Sequence, residues 1–353
     1  MAKSPPTIRD VAQRAGVSVS TVSRILNGAE TAISISAETR QKVLQASQSL
    51  AYRPHPGARL LRGKGANLLG LILRELDDLF FAQLVQVISQ VAQEKGVEIV
   101  LGYARNDPDE AVRLSELMLD LRYCDGLILL GDLHESVEDR SFLSQMNQNM
   151  PLVQLCRGNK NLVADIPSVN VDNLKGTSLA MDYLMQLGHQ RIAFLGSERL
   201  GDLHERQETY NIIMQNNFGT YTKEYLTQSE NTLEGGYQAM SQLLSLPVPP
   251  TAVFASDDMM AIGAIRAAYI QQAKIPQDIS IIGFDDINLA AYLTPSLSTI
   301  HQSTEILGSK AVQLILSLTA DSFKESLSNH IVIEPELIIR DSCASPSRSA
   351  IIT

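Results

Sequence analysis

Apolar positions in residues 7–28, TIRDVAQRAGVSVSTVSRILNG, recur at helical spacing in two short blocks. Ile8, Val11, Ala12 and Ala15 form one stripe, and Val22, Ile25 and Leu26 form a second. Arg9, Asp10, Gln13 and Arg14 fall on the wet face of the first block. Gly16 lies between the blocks, where a left-handed cap would end a helix. Ser18 stands where its hydroxyl can cap the next one. Val19, Ser20, Ser23, Arg24 and Asn27 are left facing outward. Two helices joined by so short a turn match a helix-turn-helix, whose second helix reads base edges in the major groove, although any small helical hairpin carries the same two stripes. A third segment, AETRQKVLQASQSL, follows Ser36 with Val43, Leu44, Ala46 and Leu50 as its apolar positions. It would complete an all-α head. The next stretch, AYRPHPGARLLRGKGANLLG, is rich in Pro, Gly and positive charge and reads as an interdomain linker.

From Leu68 the pattern changes to apolar runs alternating with amphipathic segments. LLGLIL, VEIVLGYA, DGLILLGD, PLVQLC, PSVNVD, RIAFLGS, TAVFAS, DISIIGFDD and HIVIEPELIIR are the strand-like runs. Helix-like segments such as FFAQLVQVISQVAQEKG and NLKGTSLAMDYLMQLGHQ stand between them, as parallel βαβ units require. The units exceed the needs of one doubly wound sheet, so the pattern predicts an α/β core of two such sheets. A cleft is then expected between them at the carboxyl ends of the strands. By pattern alone this core suits a sugar-binding protein, a Rossmann-type enzyme or a pair of receiver-like domains.

Length and charge sharpen the division. A chain of 353 residues with 44% hydrophobic positions can fill two or three cores. Its formal charge of −10 is unevenly spread: residues 1–66 carry ten Lys or Arg against three acids, a net +7, which leaves −17 on the remainder. A small basic head on an acidic body suits phosphate contact by the head alone. No apolar run approaches the ~18 residues of a bilayer span, and MAKSPPTIRD lacks an apolar signal core, so a cytoplasmic protein without membrane contact is expected. Cys124, Cys156 and Cys343 form neither CxxC nor a metal set with histidine and are expected to be ordinary thiols.

The residues themselves go beyond pattern. TIRDVAQRAGVSVSTVSRILNG closely resembles the DNA-binding head of the lactose-repressor and galactose-repressor family of bacterial regulators. VNVDNLKG, LGHQRIAFLGS, PPTAVFASDDMMAIGA, IPQDISIIGFDD and SLSTIHQ resemble, in order, that family's effector-binding core, which shares its fold with periplasmic sugar-binding proteins. The resemblance runs from about Thr7 to Asp341. It implies a helix-turn-helix head at 1–52, a hinge helix or linker at 53–66, a periplasmic-binding-protein-like core at 67–343 and a tail at 344–353. Within the core it implies a first subdomain of about 67–164 and 296–324, and a second of about 165–295 and 325–343. It also implies DNA contacts by Thr7, Val19, Ser20, Thr21, Ser23, Arg24 and Asn27. In the hinge, Pro56 suits a first helical turn, Leu61 matches a leucine that wedges into the minor groove, and Ala58 shares its face. Gly57 departs from the pattern by weakening a short helix, and the Ala29–Ile35 loop is longer than the family usually carries.

For the core, the resemblance implies an effector held by Phe80, Phe81, Cys156, Arg206, Asp257, Asp285 and Gln302. Core packing suits Phe80 and Phe81 equally well. Cys156 stands where an acidic residue is common, and Thr209 replaces a usual glycine and is expected to narrow the cleft. DDMM and GFDD place Asp257, Asp258, Asp285 and Asp286 directly after strands, facing the crevice, with helix capping as the other role open to Asp258. His189 in LGHQRI reads as a capping and packing residue. No Gly-rich phosphate loop, nucleophile elbow or metal-spaced histidine pair occurs, so no catalytic residue, cofactor or metal is expected. The expected protein is a homodimeric or larger repressor of a carbohydrate or small-metabolite operon. It would bind a near-palindromic double-stranded operator, answer a sugar-like effector, and draw dimer contacts from helices such as Phe81–Glu94 and Glu110–Leu121. The other readings are a small-molecule binding protein without a DNA role and an enzyme of sugar metabolism. The basic head weighs against the first, and the missing acid and base pair against the second.

Overall fold

A computed structural model describes residues 6–26, 35–52, 67–120, 124–132, 137–158, 163, 165–196, 201–219, 223–319 and 330–347. Two compact units divide at Ala66/Asn67.

The first unit holds α1 (Ile8–Ala15), α2 (Val19–Leu26) and α3 (Ala37–Ser49). Its core is Val11, Ala12, Val22, Ile25, Val43 and Ala46, so each predicted stripe packs inward. Leu44 departs from its expected place and is 49% exposed, because it lies one position off the face that carries Val43, Ala46 and Leu50. A reciprocal cap starts α1: the Asp10 amide donates to Thr7 Oγ1 at 3.4 Å, and the Thr7 amide donates to the Asp10 carboxylate at 2.7 Å. The Thr7 amide and hydroxyl, both donating to that carboxylate at 2.7 Å, hold the Asp10 carboxyl below its ordinary range. Gly16 ends the helix with φ +67°, and Ser18 accepts from the Thr21 amide at 3.1 Å to start α2.

The second unit contains two sheets of parallel strands. In the first lobe the order is β11-β5-β4-β3-β1-β2, with β1 (Leu68–Leu73), β2 (Glu98–Tyr103), β3 (Gly126–Leu130), β4 (Leu152–Leu155), β5 (Ser168–Val171) and β11 (His330–Ile333). Helices α4 (Leu79–Glu94), α5 (Pro108–Asp120) and α6 (Val137–Asn147) connect its first four strands. In the second lobe the order is β7-β6-β8-β9, with β6 (Ile192–Gly196), β7 (Leu226–Gln228), β8 (Ala252–Ala255) and β9 (Ser280–Ile282). It carries α7 (Asn173–Gln186), α8 (Gly201–Phe218), α9 (Leu233–Leu244) and α10 (Asp258–Ile270). A short antiparallel pair, β10 (Thr299–His301) with β12 (Glu336–Ile338), lies beside α7. Helix α11 (Thr304–Thr319) returns to the first lobe and packs on α4. Central strands such as Leu152–Leu155 and Ala252–Ala255 are buried at every position, as both-face burial of a parallel sheet demands.

The subdomain boundaries differ from those expected. Ser168–Val171 and His330–Ile333, assigned by sequence to the second subdomain, pair with each other and join the first sheet through β4. Thr299–His301, assigned to the first, sits with the second lobe through the bridge from Asp285 to His301. The chain therefore crosses between lobes after each of these strands, near Asp172, Gln302 and Glu334, whereas the expected breaks lay in the loops before them. The tail boundary also moves, since the Ala344 amide donates to Ser280 Oγ at 3.0 Å. Its carbonyl accepts at 2.9 Å from His189, a buried side chain that also meets Thr251 at 2.9 Å and so pins the tail to β9.

Candidate effector cleft and DNA-facing helix

The carboxyl ends of the strands in both lobes converge on one cleft. All seven expected effector residues line it: Phe80, Phe81, Cys156, Arg206, Asp257, Asp285 and Gln302. Its innermost void is about 20 Å³, and the space it encloses together with its mouth is about 420 Å³. The first figure fits one water, and the second is in the range of small-molecule pockets, so a sugar-sized ligand would need the two walls to part.

On the second lobe, Arg206 organises the wall. Its Nε donates to Asn173 Oδ1 at 3.0 Å and one Nη to the Ser256 carbonyl at 2.5 Å. The same Nη lies 3.6 Å from Asp285, and the other lies 3.7 Å from Asp202. The guanidinium stacks 3.6 Å from the centre of the Phe284 ring. Gln302 donates to Asp285 at 2.5 Å, which fixes that carboxyl from the opposite side. Asp285 has φ +112°, a conformation few residues with a side chain adopt, and strain of this kind is held only where surrounding contacts enforce it. Asp257 caps α10 by accepting from the Met260 amide at 2.7 Å and also bonds Asn231. Burial pushes its carboxyl up to about 6, with help from the charge on Asp78. Burial likewise raises Asp285 well above the carboxylate range, against the pull of Arg206.

On the first lobe, Asp78 caps α4, accepting from the Phe80 and Phe81 amides at 2.8 and 3.2 Å. Phe80 and Phe81 are 4% and 3% exposed and belong at once to the core and to the cleft wall, so their two expected roles coincide. Cys156 follows β4 with φ +53°, and burial raises its thiol so far that it stays protonated and unreactive.

Three expectations need correction. Asp258 faces away from the cleft: one oxygen meets the Thr299 hydroxyl at 2.6 Å and the other accepts from the Ile287 amide at 2.9 Å. Asp286 likewise turns outward, to Arg340 at 2.7 Å and His301 at 2.9 Å. Neither can reach the crevice, because the adjacent residue at each site is the one that the turn aims into it. Thr209 does not narrow the cleft, since its hydroxyl folds back to the Glu205 carbonyl at 2.7 Å within α8. Further lining residues were not anticipated: Arg74, Asp78, Arg157, Asn173, Asp202 and Asn231. Arg74 directly follows β1 and Arg157 lies two residues past β4, so the strand-end rule could have found both.

The lobes touch across the cleft. Asp132, just past β3, accepts from the Gly201 amide at 2.9 Å, where α8 begins. It also accepts from Arg157 at 3.3 Å in a fully buried ion pair. Gly158 passes so close that a β-carbon there would lie 2.3 Å from the Gly201 carbonyl carbon.

In the first unit, α2 exposes Val19, which is 38% accessible, and Ser20, with Thr21, Ser23 and Arg24 half-buried along the same helix. Ser18, Ser20 and Thr21 form a hydroxyl cluster with contacts of 2.7 and 2.8 Å. Thr7 spends its side chain on the α1 cap. Asn27, Ala58 and Leu61 lie outside the described residues.

Comparison with known proteins agrees with both halves. A family model described as bacterial regulatory proteins, lacI family, matches residues 7–55, and one described as a periplasmic binding protein-like domain matches 181–343. A Bacillus subtilis protein named "Probable HTH-type transcriptional repressor ExuR" is 33% identical, with 95% of this chain and 98% of that protein covered. The HTH-type transcriptional repressor CytR of Escherichia coli is 32% identical over 95% of this chain and 96% of its own length. Among solved structures, the lac repressor dimer bound to operator and the anti-inducer ONPF matches with a TM-score of 0.83 at 27% identity, covering 97% of this chain and all of that one. A transcriptional regulator CelR complex with cellobiose matches with a TM-score of 0.69 at 26% identity, covering 96% and 99%. The chain belongs to the lacI family of bacterial regulatory proteins, transcriptional regulators that join a helix-turn-helix DNA-binding head to a periplasmic-binding-protein-like core.

Proposed function

We propose that this regulator represses a carbohydrate or small-metabolite operon in the cytoplasm, binding a near-palindromic operator as a homodimer and answering a polar effector held in the cleft between its lobes. The observation that carries the reading is the convergence of Phe81, Cys156, Arg206, Asp257, Asp285 and Gln302 on one cleft in a chain whose α2 exposes Val19 and Ser20, with Arg24 half-buried beside them. Carboxyl and amide groups beside a guanidinium match the donors and acceptors of a polyol. Lining so rich in fixed polar groups, with its one thiol, Cys156, held protonated by burial, suits binding rather than turnover, and no enzymatic role is assigned.

Base contacts are assigned to Val19, Ser20, Thr21, Ser23, Arg24 and Asn27, with Thr7 at the backbone and Ala58 and Leu61 in the minor groove. Dimerisation is supported by the edge of the first lobe, where β2 and α5 expose Val100, Leu101, Tyr103 and Leu117. The lac repressor structure above is itself a dimer on operator DNA, and the CelR structure holds a disaccharide. Selection of bound duplexes from a random pool, with and without a metabolite panel, tests the reading. A palindromic consensus whose recovery changes with one metabolite class is the expected result, whereas failure to enrich any duplex would return the chain to a binding protein without a DNA role.

A further inference from the structure

Resting on the reading of the cleft as an effector site, we propose that the effector is a polyhydroxylated monocarboxylate whose carboxylate is received by Arg74. Arg74 leaves the end of β1 and lines the cleft, with only 3% of its surface exposed. Its guanidinium lies 5.1 Å from the Phe81 ring centre. Two of its nitrogens, Nε and one Nη, are buried and make no hydrogen bond. Glu75 forms an ion pair with Nε at 3.2 Å, which leaves the Nη as the donor without a partner. A buried guanidinium with unmet donors is costly unless a partner arrives, and a carboxylate is the partner that its planar fork fits.

The facing lobe is complementary. Asp202 Oδ1 and Asn231 Oδ1, both on cleft-lining residues, are buried acceptors without donors. Such acceptors call for hydroxyl groups. Donors on one wall and acceptors on the other give the ligand a direction, with its acid against β1 and its hydroxyls against α8 and the loop before α9. A monoanion is favoured over a phosphate ester because Glu75, Asp78 and Asp202 all act on Arg74, and a dianion would meet their combined charge. Asp257 and Asp285, both raised by burial, can be protonated and donate to hydroxyls further along.

Calorimetric titration of the full-length protein tests this with D-gluconate, D-glucuronate and D-galacturonate against D-glucose, D-galactose, D-glucitol and D-glucose 6-phosphate, on the wild type and on Arg74→Gln, Arg74→Lys and Asp285→Ala. At least one sugar acid should bind the wild type about tenfold or more tightly than its neutral counterpart. Arg74→Gln should lose about 10- to 100-fold toward the acid and nothing toward neutral sugars, with Arg74→Lys between. Arg74→Gln also removes the charge that faces Glu75, Asp78 and Asp202, so its melting is recorded beside the titration, and Arg74→Lys, which keeps that charge, separates loss of the carboxylate fork from loss of fold. Equal binding of acid and neutral sugar, tighter binding of the phosphate ester, unchanged acid affinity in Arg74→Gln, or no binding by any sugar acid at 10 mM would each overturn the proposal. If Asp285→Ala abolishes binding of whichever ligand does bind, the cleft reading survives that failure. If Asp285→Ala binds it like the wild type, the cleft reading falls as well.

Discussion

Asp258 offers the sharpest test of the charge arrangement, because its neighbours define which protonation state the fold wants. The side chain is fully buried, with one oxygen 2.6 Å from the Thr299 hydroxyl and the other accepting from the Ile287 amide at 2.9 Å. Burial pushes its carboxyl up to about 8, against the two hydrogen bonds and with added repulsion from Asp257 and Asp286. In the unfolded chain the same group titrates near 3.8. The folded state thus holds its proton more tightly, so the contribution of this group to stability is complete below about pH 4 and is lost as pH rises through about 8. Four pH units correspond to at most about 6 kcal/mol, an upper bound for a site whose surroundings relax. Asn in place of Asp258 mimics the protonated acid: its NH₂ donates to Thr299 and its oxygen accepts from Ile287. Asp258→Asn should therefore gain on the wild type as pH rises from 5 to 9, by about 1–3 kcal/mol. Urea unfolding followed by circular dichroism at pH 5, 7 and 9 measures this, with the core transition read apart from the head. Parallel pH profiles for the two proteins would refute the claim that the fold buries a neutral acid here.

Arg24→Ala should cost about 1–3 kcal/mol on the preferred operator and flatten preference at one position per half-site, whereas an equal loss on all sequences in a gel-shift series would make Arg24 a phosphate contact. Leu61→Ala should weaken operator binding and reduce DNA bending in circular-permutation gels while leaving effector binding intact. Arg206→Ala and Asp285→Ala should retain operator binding yet lose the effector response by about 1–3 kcal/mol or more, and a wild-type dose response in both would move regulation away from this cleft. Gly158→Ala should place a methyl group against the Gly201 backbone, force the lobes apart by roughly 1 Å and weaken effector binding by about 1–3 kcal/mol, as read by calorimetry.

Residues whose role depends on local periodicity were legible in advance. Val11, Val22, Ile25 and Val43 are buried as their spacing requires, and Gly16 takes the left-handed cap that ends α1. The cleft residues were legible through resemblance and through the rule that parallel strands point their carboxyl ends at a ligand. Asp257 and Asp258 show where that reasoning stops. They are neighbours in one DDMM string, but Asp257 is still extended at φ −150° and caps α10, while Asp258 is the first helical residue and is carried behind the wall. One residue of helix phase separates a cleft group from a buried strut. The lobe boundaries failed for a different reason. Whether Ser168–Val171 joins the first or the second sheet is decided by pairing with Gln154, Leu155 and the distant His330–Ile333, and no periodicity along the strand encodes its partner. Arg74 was missed because a lone basic residue after an apolar run reads as a solvated strand end, and only the packing of Phe81 and Gly131 around it shows that it is buried.

The contacts across the cleft also determine how an effector can act on it. A ligand shifts the balance between closed and open lobes only through interactions that differ between the two. Asp132 to the Gly201 amide, and Gly158 against the Gly201 backbone, are closed-state contacts that the chain makes by itself. They favour closure without any ligand. Arg74 opposes them, since the closed lobes hold a guanidinium Nη without an acceptor, and a buried donor left without a partner is costly. The two terms have opposite sign and act on the same movement. A ligand that satisfies Arg74 removes the opposing term, so its interaction with that residue favours the arrangement of the lobes in which both walls reach the ligand. Contacts to Arg206 contribute less to the shift, because its bonds to Asn173 and Ser256 lie within the second lobe and persist when the lobes part. Effector affinity is thus spread over the cleft, but the conformational response is concentrated at Arg74, whose Nη the protein leaves without a partner.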